Sequence, residues 1–476
     1  MTGPRFPLKV PDRLPDEGLL IGYSLEHEHH PPLPGFNFGP PDVGPRRGYL
    51  EPILHTGDGH LMTIAPTGSG KGVGAIIPAL LHHHGSVIIV DPKGENYAVT
   101  ARRRREMGQK VVCLDPFGIT DCESPGAFNP LDLIEKGGPQ EVDTTAMLAE
   151  LLVRPSLTSD PFWDNRARQL ITGLMLHVAQ VRPRALRNLV EVRYLLYQNS
   201  DDLKYLVEEM RRSPNADVRL LAGMVDTQAE KLDASIRATA QQAIEFLRGT
   251  AVSGAVSDTS FDLSSVTDGD PITIYIVIPP DKLESHAQLL RLWIGGLFSL
   301  IMRRRRPLDR RTLFVLDEAA QLGALSQLRQ AITLLRGYGL QTWSFWQDIN
   351  QIRQIYGPDW ETMFNNCKVI QSFGFSNLQM AQQIGDRVGF FDSGGLVGLD
   401  TDEMLLMIAG DEPVIAQRPN YLTDPCFAGM SDPNPYHSRA LEEELRPQRP
   451  QRHYTRRSLC RPSEEGRRDK AGHKRS

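Results

Sequence analysis

The stretch Ala65-Pro66-Thr67-Gly68-Ser69-Gly70-Lys71-Gly72 constrains this chain more than any other. It follows the apolar run Leu61-Met62-Thr63-Ile64 and leads into Val73-Gly74-Ala75-Ile76-Ile77. A strand, a glycine-rich turn carrying Lys and a helix start form the context a phosphate cradle requires. In that reading Gly68 and Gly70 let backbone N–H groups close around phosphate oxygens, and Lys71 reaches the β- and γ-phosphates. Thr67, Ser69 and Gly72 complete the loop. The segment departs twice from G-x-x-x-x-G-K-[ST]. Ala65 stands where the first glycine belongs, and Gly72 replaces the hydroxyl residue that ligates Mg²⁺. Taken alone, it also reads as a glycine-rich turn without function.

At 476 residues the chain is long enough for two or three domains. No run of 18 apolar residues occurs, which gives no transmembrane helix, and the first residues lack the apolar centre of a signal peptide. Five cysteines without C-x-x-C spacing read as reduced thiols in a cytosolic protein. The net charge of −5 is uneven. From Arg446 to Ser476 eleven Lys or Arg face three acidic residues, a surplus of eight that leaves the rest of the chain near −13. So acidic a body excludes a generic nucleic-acid binder and makes any DNA contact local. Arg102-Arg103-Arg104-Arg105 and Arg303-Arg304-Arg305-Arg306 are candidates for it, though each taken singly reads first as a solvated helix end.

The chain divides into a flexible leader (1–16), a first part of a nucleotide-binding domain (17–138), an inserted all-helical domain (139–248), a second nucleotide-binding part (249–440) and a disordered basic tail (441–476). Short β-like pieces such as Leu19-Leu20-Ile21 and Tyr49-Leu50 come first. Continuous apolar runs follow: Ser86–Asp91, Lys110–Asp115, Ile272–Ile278, Leu313–Asp317 and Thr342–Trp346. Such runs, several ending in Asp, suit parallel strands buried on both faces, with ligands at their carboxyl ends. Between 139 and 248 apolar residues recur at helical spacing, as in Leu170, Leu174, His177 and Val178. The pattern predicts an α/β fold with a mostly parallel sheet and a helical insert.

The second chemical element is Thr312-Leu313-Phe314-Val315-Leu316-Asp317-Glu318. Asp317 can hold Mg²⁺ directly or through water, and Glu318 can polarise the water that attacks a γ-phosphate. Paired with the Lys71 loop, this makes nucleotide hydrolysis the leading reading. Gln347 ends the next apolar strand and can touch the γ-phosphate, or simply cap the strand. Arg336 can serve a neighbouring subunit as an arginine finger, or form a surface ion pair. Glu26–His30 and His82–His84 lack the separated ligand pairs of a zinc site and read as surface histidines. Trp343 and Trp346 read as sheet core.

These residues together resemble the VirD4/TraG type IV secretion coupling proteins, relatives of the FtsK/HerA motor ATPases. The resemblance runs from about Leu19 to Phe427. It rests on the loop with its flanks (His60–Gly74), Asp91-Pro92-Lys93-Gly94-Glu95-Asn96, Asp115-Pro116-Phe117, Phe128-Asn129-Pro130-Leu131, Asp160-Pro161-Phe162-Trp163, the Asp317-Glu318 strand, and Gln347 with Ile355-Tyr356-Gly357. It implies a RecA-like P-loop NTPase fold using ATP and Mg²⁺. It also implies roles: Lys71 on the β/γ-phosphate, Asp317 on Mg²⁺, Glu318 activating water, Gln347 sensing the γ-phosphate and Arg336 acting in trans. Lys-Gly at 71–72 resembles many members. A hexameric ring with DNA, single- or double-stranded, in its channel is implied too, the helical domain meeting relaxosome or effector proteins and the ring serving a type IV secretion channel. Members usually carry two N-terminal membrane helices. None is visible here, so a cytoplasmic protein recruited to the inner membrane by partners is expected. The principal expectation is a DNA translocase that delivers conjugative substrate. The alternatives are a receptor ATPase for secreted effectors and an inactive scaffold.

Overall fold

The computed structural model describes residues 9–27, 48–153, 161–225, 230–306, 308–389 and 393–437. The expected basic tail and residues 1–8 of the expected leader lie outside the described residues. So do Asp160 and the histidines at positions 29 and 30. The strands, in chain order, are β1 (Leu19–His27), β2 (Gly48–His55), β3 (His60–Ile64), β4 (Val87–Val90), β5 (Lys110–Leu114), β6 (Ile272–Ile276), β7 (Thr312–Leu316), β8 (Leu340–Trp346), β9 (Cys367–Ser372), β10 (Glu403–Ile408) and β11 (Val414–Gln417). The chain forms two compact units. The first comprises Met1–His84, Val99–Met107 and Gln341–Ser476, and the second Gly85–Ala98 and Gly108–Leu340.

In the first unit the strand order is β2-β1-β11-β10-β9-β3-β8. β3 lies parallel to both β8 and β9, whereas β9, β10, β11, β1 and β2 follow one another antiparallel. β3 and β8 are buried along their whole length, as continuous apolar runs require. Their polar groups are paired in the interior. Trp343 Nε1 donates to Thr63 Oγ1 (2.8 Å), Thr63 Oγ1 to Gln371 Oε1 (2.8 Å), and Gln371 Nε2 to the Ile21 carbonyl (2.7 Å). This relay runs from β8 through β3 and β9 to β1, so every buried donor in it has an acceptor. Trp343 and Trp346 are sheet core, as their sequence context predicts.

A cluster of Leu20, Tyr23, Leu50, Ile77, Leu81 and Phe427, with its neighbours, packs β1 and β2 against the helix Ile77–His82. Val10 and Leu14 pack on it, and the Leu50 N–H donates to the Lys9 carbonyl. The later half of the leader is thus seated on the sheet. His82, read from sequence as a surface histidine, is buried and hydrogen-bonds the Pro15 carbonyl at 2.7 Å.

In the second unit the order β7-β4-β6-β5 is parallel throughout. Between β5 and β6 the described residues from Glu141 to Leu247 form helices and turns with no strand, including a 21-residue helix, Pro161–Val181, whose buried face carries Leu170, Leu174, His177 and Val178. The helix Glu141–Leu152 packs on the helix Ala287–Met302, where Gly295 leaves room for Leu151: a Cβ there would stand 2.5 Å from Leu151 Cδ1.

Both arginine quartets depart from expectation. Arg104 is fully buried and donates to the Leu80 and His83 carbonyls. Arg304 is buried and donates to Val266 O (2.7 Å), Thr312 Oγ1 (2.7 Å) and the Tyr338 and Gly339 carbonyls (3.2 Å each). These guanidiniums satisfy carbonyls at element ends, so neither quartet is simply a solvated helix end or a ready-made basic stripe.

Leu81, on the buried face of the helix that follows the glycine-rich loop, is 0% exposed. Leu81→Ala should cost about 2–5 kcal/mol of unfolding free energy, read from urea denaturation of the full chain.

Candidate active site

β3 ends at Ile64, and the Ala65 N–H still pairs with the Trp346 carbonyl at 2.8 Å. The chain then turns. Ser69 donates both its hydroxyl (2.6 Å) and its N–H (3.3 Å) to the Pro66 carbonyl, closing a tight loop whose glycines take φ values of +77° (Gly68) and +83° (Gly70). Only glycine adopts these values without strain. The first turn after Lys71 is wound as a π-helix, Gly72–Ile76, with the Ile77 N–H reaching back to the Gly72 carbonyl. Such wide turns recur at functional sites. Lys71 and Gly72 are half-buried, Thr67 and Gly68 exposed. The loop therefore opens to solvent at the start of a helix, the geometry that receives phosphate.

The Ser69 hydroxyl braces the bend of the loop. Behind the loop stands a residue that no sequence motif singled out. Arg418 donates to the carbonyls of Ser69 (2.9 Å), Gly70 (2.7 Å) and Thr401 (2.8 Å), and lies 3.8 Å above the Phe373 ring. Gln347 follows β8 at the strand end level with the start of the loop, because β3 and β8 pair in the register Ile64↔Trp346. Its N–H is held by Gln351 Oε1 at 3.0 Å. Loop, Gln347 and Arg418 thus belong to one unit.

The acidic residues belong to the other. Asp317 and Glu318 follow β7, and Asp91 follows the adjacent β4, with Val90↔Leu316 in register. Two carboxylates are thereby set side by side at the carboxyl ends of parallel strands. Asp91 accepts from the Tyr97 N–H (2.8 Å) and Asn96 Nδ2 (3.2 Å). Burial pushes its pKa up to about 7, against those hydrogen bonds, and the charge of Asp317 adds to the rise. Glu318 has φ +60° and ψ +49°, the one non-glycine with positive φ among the described residues. Strain of this kind gathers at sites where a side chain must point in one direction. Among the described residues no group of three or more His, Cys, Asp or Glu could hold a metal by itself.

Arg336 opens the short turn Arg336–Tyr338, whose last carbonyls Arg304 holds; its side chain lies outside the described residues. Several other motif residues are scaffolding. Asn129 caps the turn Pro130–Leu133 through the Leu131 N–H, and Asp115 accepts from Thr120 twice. Tyr356 packs edge-on against Trp346, and Gly357 ends its helix at φ +52°.

A family described as Type IV secretory system Conjugative DNA transfer matches residues 41–391. The chain belongs to this family. It is 29% identical to a conjugal transfer protein TraG of Escherichia coli over 364 residues, covering 72% of this chain and 57% of that protein. It is 27% identical to the protein VirD4 of Agrobacterium fabrum, covering 66% and 47%. The chain thus spans about half the length of these family members. Among solved structures, the bacterial conjugative coupling protein TrwBdeltaN70 superposes with a TM-score of 0.59 at 18% identity, covering 78% of this chain and 86% of that one. VirB4 of Thermoanaerobacter pseudethanolicus gives 0.51 at 15% identity, covering 85% and 97%. The P-loop NTPase fold of the family is therefore the fold here, and the coupling-protein resemblance read from the motifs is correct. Among the described residues no helix is long and apolar enough to cross a membrane.

Two outcomes follow from the acidic residues. Glu318→Gly should relieve the left-handed backbone and raise the unfolding free energy by roughly 0.5–1 kcal/mol, measured by urea denaturation, while removing the carboxylate. Asp91 titrates higher folded than unfolded, so its contribution to stability is complete below pH 3.8 and is lost as the pH rises to about 7. In metal-free protein Asp91→Asn should abolish that downward slope between about pH 5 and 7, seen by denaturation at a series of pH values.

Proposed function

We propose that the chain is the motor part of an ATP-driven coupling protein, a DNA translocase that delivers conjugative DNA or nucleoprotein to a type IV secretion channel. The observation that carries this reading is the loop after β3, shaped by Gly68, Ser69 and Gly70 and followed by Lys71 at a helix start. Family membership and the strained Glu318 after a buried strand support it. TrwB, the neighbour of the same fold, has been solved with ADP and Mg²⁺ and with a non-hydrolysable ATP analogue.

In this reading Thr67–Gly72 cradle the phosphates and Lys71 neutralises the β- and γ-phosphate oxygens. Asp317 would hold Mg²⁺, which when bound would supply positive charge to the phosphate oxygens. Glu318 takes the proton of the attacking water, which its fixed left-handed backbone aims in one direction. Gln347 reports the presence of the γ-phosphate, and Arg336 stabilises the charge on a neighbouring subunit's nucleotide, which makes a ring, a homohexamer in this family's pattern, the working form. The helical segment meets relaxosome or effector proteins. Tyr194, Tyr205 and Leu220, exposed at 63%, 78% and 76%, give it the apolar surface such contacts use. Recruitment to the inner membrane by partners completes the reading.

Turnover of the purified chain, with and without single- and double-stranded DNA at two salt concentrations, tests it. DNA should stimulate hydrolysis, and added salt should weaken the stimulation because phosphate contacts release counterions. Turnover indifferent to DNA but raised by an effector protein moves the assignment to a receptor ATPase. Lys71→Ala should abolish turnover. Glu318→Gln should still bind ATP while hydrolysing it about 10²–10⁴-fold more slowly. Arg336→Ala subunits should regain partial activity when mixed with Lys71→Ala subunits, since a finger acts across the interface.

A further inference from the structure

We propose that Arg418 is a positioning residue of the nucleotide site, orienting the phosphate loop through its backbone. The proposal rests on the nucleotide reading above and adds to it a residue from a distant part of the chain. Arg418 directly follows β11, is 7% exposed, and spends its guanidinium on three main-chain carbonyls, two of them in the loop.

The consequence comes from peptide geometry. In a planar trans peptide the N–H points opposite to the C=O. Holding the Ser69 and Gly70 carbonyls on the arginine's side therefore turns the N–H groups of Gly70 and Lys71 to the other side. Those are two of the donors a phosphate cradle needs. A planar fork with several donors suits this task, because one side chain can hold two successive carbonyls in fixed directions. The Phe373 face at 3.8 Å and the backbone bond from the Arg418 N–H to the Asp402 carbonyl (2.7 Å) fix the fork in turn. Burial lowers the guanidinium pKa to about 10, with Asp402 opposing the fall, so the group is cationic at neutral pH. It adds positive charge behind a loop that is to receive polyanions.

The same arrangement accounts for a glycine. A Cβ on Gly74 would stand 2.6 Å from Arg418 Nη2, and one on Gly70 2.9 Å from it. Gly74 lies inside a helical turn, where glycine is ordinarily unfavourable, and the arginine explains its presence.

The experiment titrates the full chain with ATP and with ADP, in Mg²⁺, by calorimetry, alongside urea denaturation. Arg418→Ala should weaken both nucleotides about tenfold or more, and Arg418→Lys should recover part of the loss, because an ammonium can reach one carbonyl. Gly74→Ala should push the guanidinium off the loop and reproduce the defect. The double variant Arg418→Ala/Gly74→Ala should bind no worse than the weaker single variant, a non-additivity that general destabilisation does not produce. A folded Arg418→Ala protein that binds ATP like wild type, or fully additive losses, overturns the proposal. If Arg418→Ala does not fold, Gly74→Ala decides: wild-type affinity in that variant overturns the proposal, and a matched loss with an unchanged denaturation midpoint supports it. Wild-type protein that binds neither nucleotide overturns the nucleotide reading itself, and this proposal with it.

Discussion

Burial of parallel strands on both faces is the constraint on which the rest of this protein depends. β3, β4, β6, β7 and β8 expose nothing along their length, so polar chemistry is confined to the residues that follow them. The glycine-rich loop follows β3, Gln347 follows β8, Asp91 follows β4 and the Asp317-Glu318 pair follows β7. What each of these residues can do is set by how its strand end is held. For Asp91 that hold is the first turn of the helix Glu95–Glu106, whose hydrogen bonds favour the carboxylate while its burial, the larger effect, makes it resist ionisation.

Much of this was legible in the chain. The strand–loop–Lys–helix order, the apolar runs ending in acid and the helical periodicity between 139 and 248 announced an α/β nucleotide fold with a helical stretch, because local burial patterns survive into the tertiary structure. The ordered motifs carried the coupling-protein resemblance. Its motif residues nevertheless serve two different ends. Lys71, Asp317 and Glu318 are the residues proposed for the nucleotide site, whereas Asn129, Asp115, Tyr356 and Gly357 cap turns and pack edges. A motif alone does not separate the two, since both kinds of residue are irreplaceable for physical reasons.

The arginines show where local reading stops. Four consecutive arginines suggest a charged surface, yet Arg104 and Arg304 are buried on carbonyl acceptors. Their long apolar stems and multiple donors suit them to close element ends that water cannot reach. His82 is a similar case: its run of three histidines looks solvated, but the Pro15 carbonyl takes it into the first unit's interior. The closing pair of the antiparallel run β9-β10-β11-β1-β2 was equally hidden, because β1 meets β11 almost four hundred residues away, with Tyr23 opposite Gln417.

By itself the sequence determined the elements whose signals are local: the glycines that permit positive φ at 68 and 70, the apolar strands, and the acids placed at their ends. Only the tertiary structure decided which distant side chains complete them. Arg418 follows an unremarkable strand near the end of the described residues, yet its guanidinium reaches two loop carbonyls far earlier in sequence, at separations of 349 and 348 residues. No periodicity or spacing encodes such a contact, because it depends on β11 and the loop being brought together by the strand order of the first unit. The left-handed backbone of Glu318 is likewise imposed by its surroundings, since nothing in the residue's own preference selects it.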